Sequence, residues 1–248
     1  YLTDNDYDDL HPTWSADGKQ IAFFSKRDSY TDIYVINVDG TDERQLTNNS
    51  ANDEDPAWSP DGTQIAFISR RDGDYEIYVM TPDGTDPRPL TDNDANEWSP
   101  AWSPDGTQLA FISDRNGERH LFVMGADGSN PRRLTDATSH PWNDDPSWSP
   151  DGTRIAFRSN RAGHVDVYVI NADGGSLPQQ LTHNAETDQD RAPAWRPSGT
   201  HPPAPATQPP LPTATPTPSA SGHTDGGTEY LVQREFDRAE TAYKAARE

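Results

Sequence analysis

One stretch of about eleven residues recurs along the chain and decides what it can fold into. AWSPDGTQIAF from Ala57 returns as AWSPDGTQLAF from Ala101, SWSPDGTRIAF from Ser147 and TWSADGKQIAF from Thr13, and a broken copy, AWRPSGT, starts at Ala194. The tryptophans that mark the copies, Trp14, Trp58, Trp102, Trp148 and Trp195, are spaced 44, 44, 46 and 47 residues apart. A second landmark, Leu-Thr, recurs at Leu2-Thr3, Leu46-Thr47, Leu90-Thr91, Leu134-Thr135 and Leu181-Thr182. Within one unit, Pro56 to Ser59, Ile65 to Ile68, Ile77 to Met80 and Arg88 to Thr91 read as four short strands. Between them lie Pro60-Asp61-Gly62, Arg71-Asp72-Gly73 and Pro82-Asp83-Gly84. Pro presets φ, Asp bonds its own backbone and Gly accepts positive φ, so these are tight turns. The two middle strands are apolar at consecutive positions, which fits a sheet covered on both faces. Four-stranded antiparallel units at a period of about 40–50 residues build a β-propeller, each unit a blade stacked between two others. The expected fold is all-β, with complete blades over residues 10–47, 56–91, 100–135 and 146–182.

The residues of the repeat, Trp-Ser-Pro-Asp-Gly followed by Ile-Ala-Phe, Ile-Tyr-Val-Met, Asp-Gly and Leu-Thr, resemble the TolB-type propeller repeat of bacterial envelope proteins, a WD-repeat-like unit also found in the propellers of some peptidases. The resemblance covers residues 1–199 and implies a ring, usually of six blades, that binds partners or gates access. Tyr1-Leu2-Thr3 then reads as the outer strand of an earlier blade and Ala194 to Pro197 as the inner strand of a later one, so the four full blades read as a fragment of the ring. Residues 200–227 form a Pro/Thr-rich linker, with eight prolines among residues 201–218. In residues 228–248, Val232, Phe236, Ala239, Tyr243 and Ala246 make one apolar stripe of an amphipathic helix that is similar to half of a tetratricopeptide repeat and starts another module.

Charge narrows the function. Acids outnumber bases 41 to 20, giving a formal charge of −21 in 248 residues. Nucleic acid is a poor partner for such a surface, because binding a polyanion requires Lys/Arg patches. No apolar run reaches the ~20 residues of a membrane-spanning helix. There is no Cys, hence no thiolate nucleophile. The motifs G-x-S-x-G, H-E-x-x-H and G-x-x-x-x-G-K-[ST] are absent, and the seven His show no i,i+4 pair, so the chain reads as non-enzymatic.

The acids collect in the segments that lead from Leu-Thr into each inner strand, which in a propeller approach the axis. These segments hold Asp53, Glu54 and Asp55, then Asp92, Asp94 and Glu97, then Asp144 and Asp145, then Asp188 and Asp190. Like charges crowded at a channel mouth repel unless neutralised. Arg27, Arg71, Arg115 and Arg161 recur once per blade at the same end and are expected to fork onto carboxylates such as Asp55 and Asp145. Asp4, Asp6 and Asp8 alternate as hard-oxygen ligands would for calcium, without the Gly or the Glu of an EF-hand loop. The third neutraliser is a basic segment of a protein or peptide partner. Trp98 and Trp142 fall outside the tryptophan register and suit contact with such a partner, or serve as lids over the inner strands. The expected partner-binding face is therefore Asp53, Asp55, Asp92, Asp94, Trp98, Trp142, Asp144 and Asp145. The expected role is an extracytoplasmic scaffold for protein–protein interaction. Two other readings stand beside it: the gating propeller of a larger peptidase, and a regulatory protein joining propeller and tetratricopeptide modules.

Overall fold

The computed structural model describes residues 2–3, 5–136, 142–183 and 192–195. All of them lie in the unit Tyr1–Ser198. The spacer, the C-terminal stripe, Asp4, Asp188 and Asp190 lie outside the described residues.

Sixteen strands form four antiparallel sheets of four. The first blade holds β1 (Asp9–Trp14), β2 (Gln20–Ser25), β3 (Asp32–Asn37) and β4 (Arg44–Gln45). The second holds β5 (Asp53–Trp58), β6 (Ile65–Ser69), β7 (Glu76–Met80) and β8 (Arg88–Pro89). The third holds β9 (Glu97–Trp102), β10 (Gln108–Ser113), β11 (His120–Gly125) and β12 (Arg132–Arg133). The fourth holds β13 (Asn143–Trp148), β14 (Arg154–Ser159), β15 (Asp166–Asn171) and β16 (Gln179–Gln180). First strands touch one another from blade to blade, β1 on β5, β5 on β9 and β9 on β13, whereas among the described residues the fourth strands touch only their own sheets. The first strands are therefore innermost and the blades radiate from a common axis.

Every residue of β6 and β7 is buried, as their unbroken apolar runs anticipate. The core lies in layers between blades. Phe67, Ile65 and Tyr78 of the second blade meet Ala22, Ile33 and Val35 of the first, and Phe111, Leu109 and Phe122 of the third meet Ile68, Ile77 and Val79 of the second. The repeat tryptophans fasten the layers. Trp102 donates from Nε1 to the Ala57 carbonyl at 3.1 Å, Trp148 to Ala101 at 3.0 Å and Trp195 to Ser147 at 2.9 Å. The Leu-Thr landmark extends each ladder, because the Thr hydroxyl accepts from the third strand's second amide. Thr47 takes Ile33, Thr91 takes Ile77, Thr135 takes Leu121 and Thr182 takes Val167. Gly128, at φ 86°, lies so close to the preceding Leu-Thr strand that a Cβ would stand 2.5 Å from the Leu90 carbonyl oxygen. Gly40 lies against the carbonyl of Leu2 in the same register, so Leu2 takes the place that Leu46 and Leu90 take in later blades.

The inner strands begin earlier than the sequence suggests. Each starts three residues before its proline, at Asp9, Asp53, Glu97 and Asn143, so Asp53, Asp55, Trp98, Asp144 and Asp145 are strand residues and not loop residues. Proline inside the strand is tolerated because a bulge sits there. In the first blade Leu10 faces Phe24 and Thr13 faces Ala22, so His11 and Pro12 together oppose one residue. The missing proline N–H falls at the unpaired position.

Candidate functional site at the inner end of the blades

The residue before each of these prolines has left-handed backbone: His11 at φ 49°, Asp55 at 53°, Ser99 at 51° and Asp145 at 49°. None is glycine, and the pre-proline position disfavours such φ further. His and Asp are among the non-glycine residues best suited to it. The bulge turns these four positions toward the axis and brings blades into polar contact. His11 Nδ1 stands 2.6 Å from Asp55 Oδ1, joining the first and second blades. Ser99 donates to Asp144 Oδ1 at 3.0 Å, joining the third and fourth. Asp144 and Asp145 of the fourth blade lie close enough to act on His11 of the first. His11 is held protonated above its usual range, first by its hydrogen bond to Asp55 and then by the charges of Asp55, Asp145 and Asp144. Burial pushes the Asp145 carboxyl upward, with the neighbouring Asp144 adding to it. Glu54 is raised by burial and accepts from Thr31 Oγ1 at 2.8 Å. Arg158 meets the fourth blade's acids, with Nε 2.8 Å from Asp145 and Nη2 3.5 Å from Asp144.

The expected face thus divides. Asp55, Asp144 and Asp145 converge at the axis. Asp53 does not, for it is wholly buried within its blade and faces Arg71. Asp92 and Asp94 are exposed in the segment before β9, where Asn93, Asp94, Asn96, Asp114 and Arg115 line a cleft of about 500 Å³. Trp98 packs on the apolar layers at both faces of the third blade and carries the Arg119 guanidinium 4.0 Å above its ring. Trp142 stands just before β13, its amide donating to Asn160 Oδ1 at 2.7 Å and its ring 5.2 Å from Arg158. Both tryptophans are capped by arginines. Asp6 and Asp8 are exposed, and among the described residues no group of three or more His, Asp or Glu is placed to hold a metal ion.

The arginine register is real, but its partners differ from Asp55 and Asp145. Each guanidinium reaches the first residue of its own inner strand, three positions before the proline. Arg71 is 3.3 Å from Asp53, Arg115 is 3.0 Å from Glu97, Arg27 is 3.6 Å from Asp9 and Arg161 is 3.0 Å from Asn143 Oδ1. Nε of each donates to a serine at the end of the second strand, Ser25, Ser69, Ser113 or Ser159. The planar cation also lies over Tyr34, Tyr78, Phe122 or Tyr168 at 4.0–4.9 Å. The bulge explains the shift: it rotates the pre-proline acid to the axis and leaves the strand's first residue facing inward.

A buried carboxyl pair beside this register went unread in the sequence. Glu76 of β7 and Glu97 of β9 are both buried, and the Asn93 amide group donates to both. Burial pushes Glu76 up to about 8, and its contact with Glu97 adds to the shift. Asp32, one junction earlier, is raised to about 6 by burial, with Asp53 adding to it. In the third junction these places hold His120 and Asn143. No sequence motif marks such a pair, because its members lie on different blades.

At the opposite end the Ser-Pro-Asp-Gly turns are satisfied internally. Ser59 Oγ donates to Asp61 Oδ1 at 2.6 Å, and the Thr63 amide to the same oxygen at 3.0 Å. The same pattern recurs at Asp17, Asp105 and Asp151.

Radial four-stranded blades with polar inner strands define the class as a β-propeller. The TolB beta propeller domain family matches residues 2–99 and 91–201, and the chain belongs to it. Among solved structures it is similar to TolB from Acinetobacter baumannii, at 24% identity and TM-score 0.64, over 76% of this chain and 47% of that one. It is similar to a putative TolB from Agrobacterium tumefaciens at 24% identity and TM-score 0.60, over 73% and 83% of the two chains. A puromycin-hydrolyzing peptidase of Mycobacterium tuberculosis shares the fold at 20% identity and TM-score 0.57, over 71% of this chain and 31% of the peptidase. The chain spans less than half the length of the Acinetobacter protein. No curated protein matches it.

Proposed function

We propose that the chain is a non-enzymatic binding module of the cell envelope, and that the inner end of its blades receives a basic segment of a protein partner. The observation that carries this reading is the convergence of Asp55, Asp144 and Asp145 on the axis, two of them on strained left-handed backbone. Backbone strain of this kind clusters at binding sites, and here, unlike at the left-handed turn residues Asp42, Asp86 and Asn130, it sits where side chains of different blades meet. Residues 1–199 hold 35 acids and 16 bases, so the long-range field also draws cations toward this unit. Among the described residues of the opposite end, the Ser-Pro-Asp-Gly aspartates are spent on their own hairpins, and the left-handed Asp42 is exposed and pairs with Arg44 of its own blade.

The test uses an N-acetylated, C-amidated octalysine peptide, titrated calorimetrically at low ionic strength. Binding is expected to weaken at least tenfold in the double variant Asp55→Asn/Asp145→Asn, and to fall as salt screens the field. It is expected to hold in Asp61→Asn/Asp105→Asn. Loss in the second pair with retention in the first would place the site at the wrong end.

A further inference from the structure

We propose that His11 is a built-in counter-cation of this acidic site, so that a basic partner must displace its charge and binds more tightly as the imidazole loses its proton. The inference deepens the proposed function and rests on it.

The geometry supports it at three points. The imidazole Nδ1 already occupies one Asp55 oxygen at 2.6 Å, the oxygen an incoming ammonium would seek. The ring is not locked in a core: its side chain is 56% exposed and rests edge-on against Phe24 at 5.3 Å between centroids. Its backbone is held at φ 49° by the first blade's own bulge, the counterpart of those that present Asp55 and Asp145. The groups facing it are few. β5 supplies Asp55 and Glu54, and β13 supplies Asp144 and Asp145, whose charges are shared with Arg158 of β14. The second and fourth blades carry acids at and beside the pre-proline position, the third carries Ser99, and the first carries the imidazole. A protonated His11 therefore cancels part of the field that attracts a cation. Lysines do not titrate between pH 6 and 8, so a pH dependence in that window belongs to the protein.

Binding of the capped octalysine peptide, at constant ionic strength, is expected to tighten about tenfold from pH 6 to pH 8, as release of one linked proton allows. Reciprocity requires the peptide to lower the His11 titration midpoint, which proton NMR of the imidazole reads directly. His11→Asn removes the titrating group and suits the left-handed backbone. This variant is expected to bind as tightly at pH 6 as the parent does at pH 8. A parent that binds equally at both pH values, or a variant that keeps the full pH dependence, would overturn the role of His11 and leave the acidic site standing. A parent that does not bind at pH 8 would overturn the site itself.

Discussion

Arg71 has three kinds of partner at once: the Asp53 carboxylate, the Ser69 hydroxyl and the face of Tyr78. Only the guanidinium fork satisfies all three, and the Arg71 side chain is 23% exposed while that of Asp53 is fully buried. Removing the guanidinium takes the counter-charge from a buried carboxylate and leaves it the Asn49 amide group as donor. Arg71→Ala is therefore expected to destabilise by about 3 kcal/mol in urea unfolding, with Arg71→Lys recovering part of the loss. A change below about 1 kcal/mol would mean the pair is solvated like an ordinary surface bridge. Glu76 makes the opposite case. Its pKa is raised in the fold, so the folded chain holds a proton that the unfolded chain releases from about pH 4.5 upward. Stability is then full below that pH and falls as pH rises toward about 8. Glu76→Gln removes the penalty. Relative to the parent, it is expected to be stabilised by roughly 2 kcal/mol more at pH 8 than at pH 5, from urea midpoints at the two pH values.

The strands and turns of the middle and outer blade were legible in the sequence because each has a local cause: Ile65 to Ile68 is an apolar run, Asp61-Gly62 a hairpin, Leu90-Thr91 a recurring pair. The inner strand was misplaced by three residues because Pro56 reads as a strand breaker, and only the bulge makes it an interior residue. That shift moves Asp53 and Glu97 from the blade to the mouth and gives Asp55 an arginine partner where the structure gives it His11. His11 stayed unread because its partner is 44 positions away and on another blade. The bulge also yields a direct test. Asp55→Gly relieves the left-handed strain and is expected to raise stability by about 1 kcal/mol while weakening octalysine binding. Gain in stability together with loss of binding marks a position kept for use. By contrast, Gly128→Ala drives a methyl group into the Leu90 carbonyl and is expected to lower the melting temperature without altering the charge of the site.

At the scale of the molecule, the blades are built and joined by repeated devices that need nothing beyond the fold: threonine to amide and arginine to strand end within a blade, tryptophan to carbonyl between blades. Those devices account for nearly every recurring residue. What they leave over is an asymmetric set at the inner end, His11, Asp55, Ser99, Asp144 and Asp145, which differs from blade to blade as a binding surface does and a scaffold need not. The measurement that addresses this most directly is residue-resolved: amide and side-chain chemical-shift changes on titrating the labelled chain with the capped octalysine peptide. Shifts are expected to concentrate on His11, Asp55, Ser99, Asp144 and Asp145 and to saturate together. Shifts confined to the turns around Asp17, Asp61, Asp105 and Asp151, or spread evenly over the acidic surface without saturation, would contradict the account.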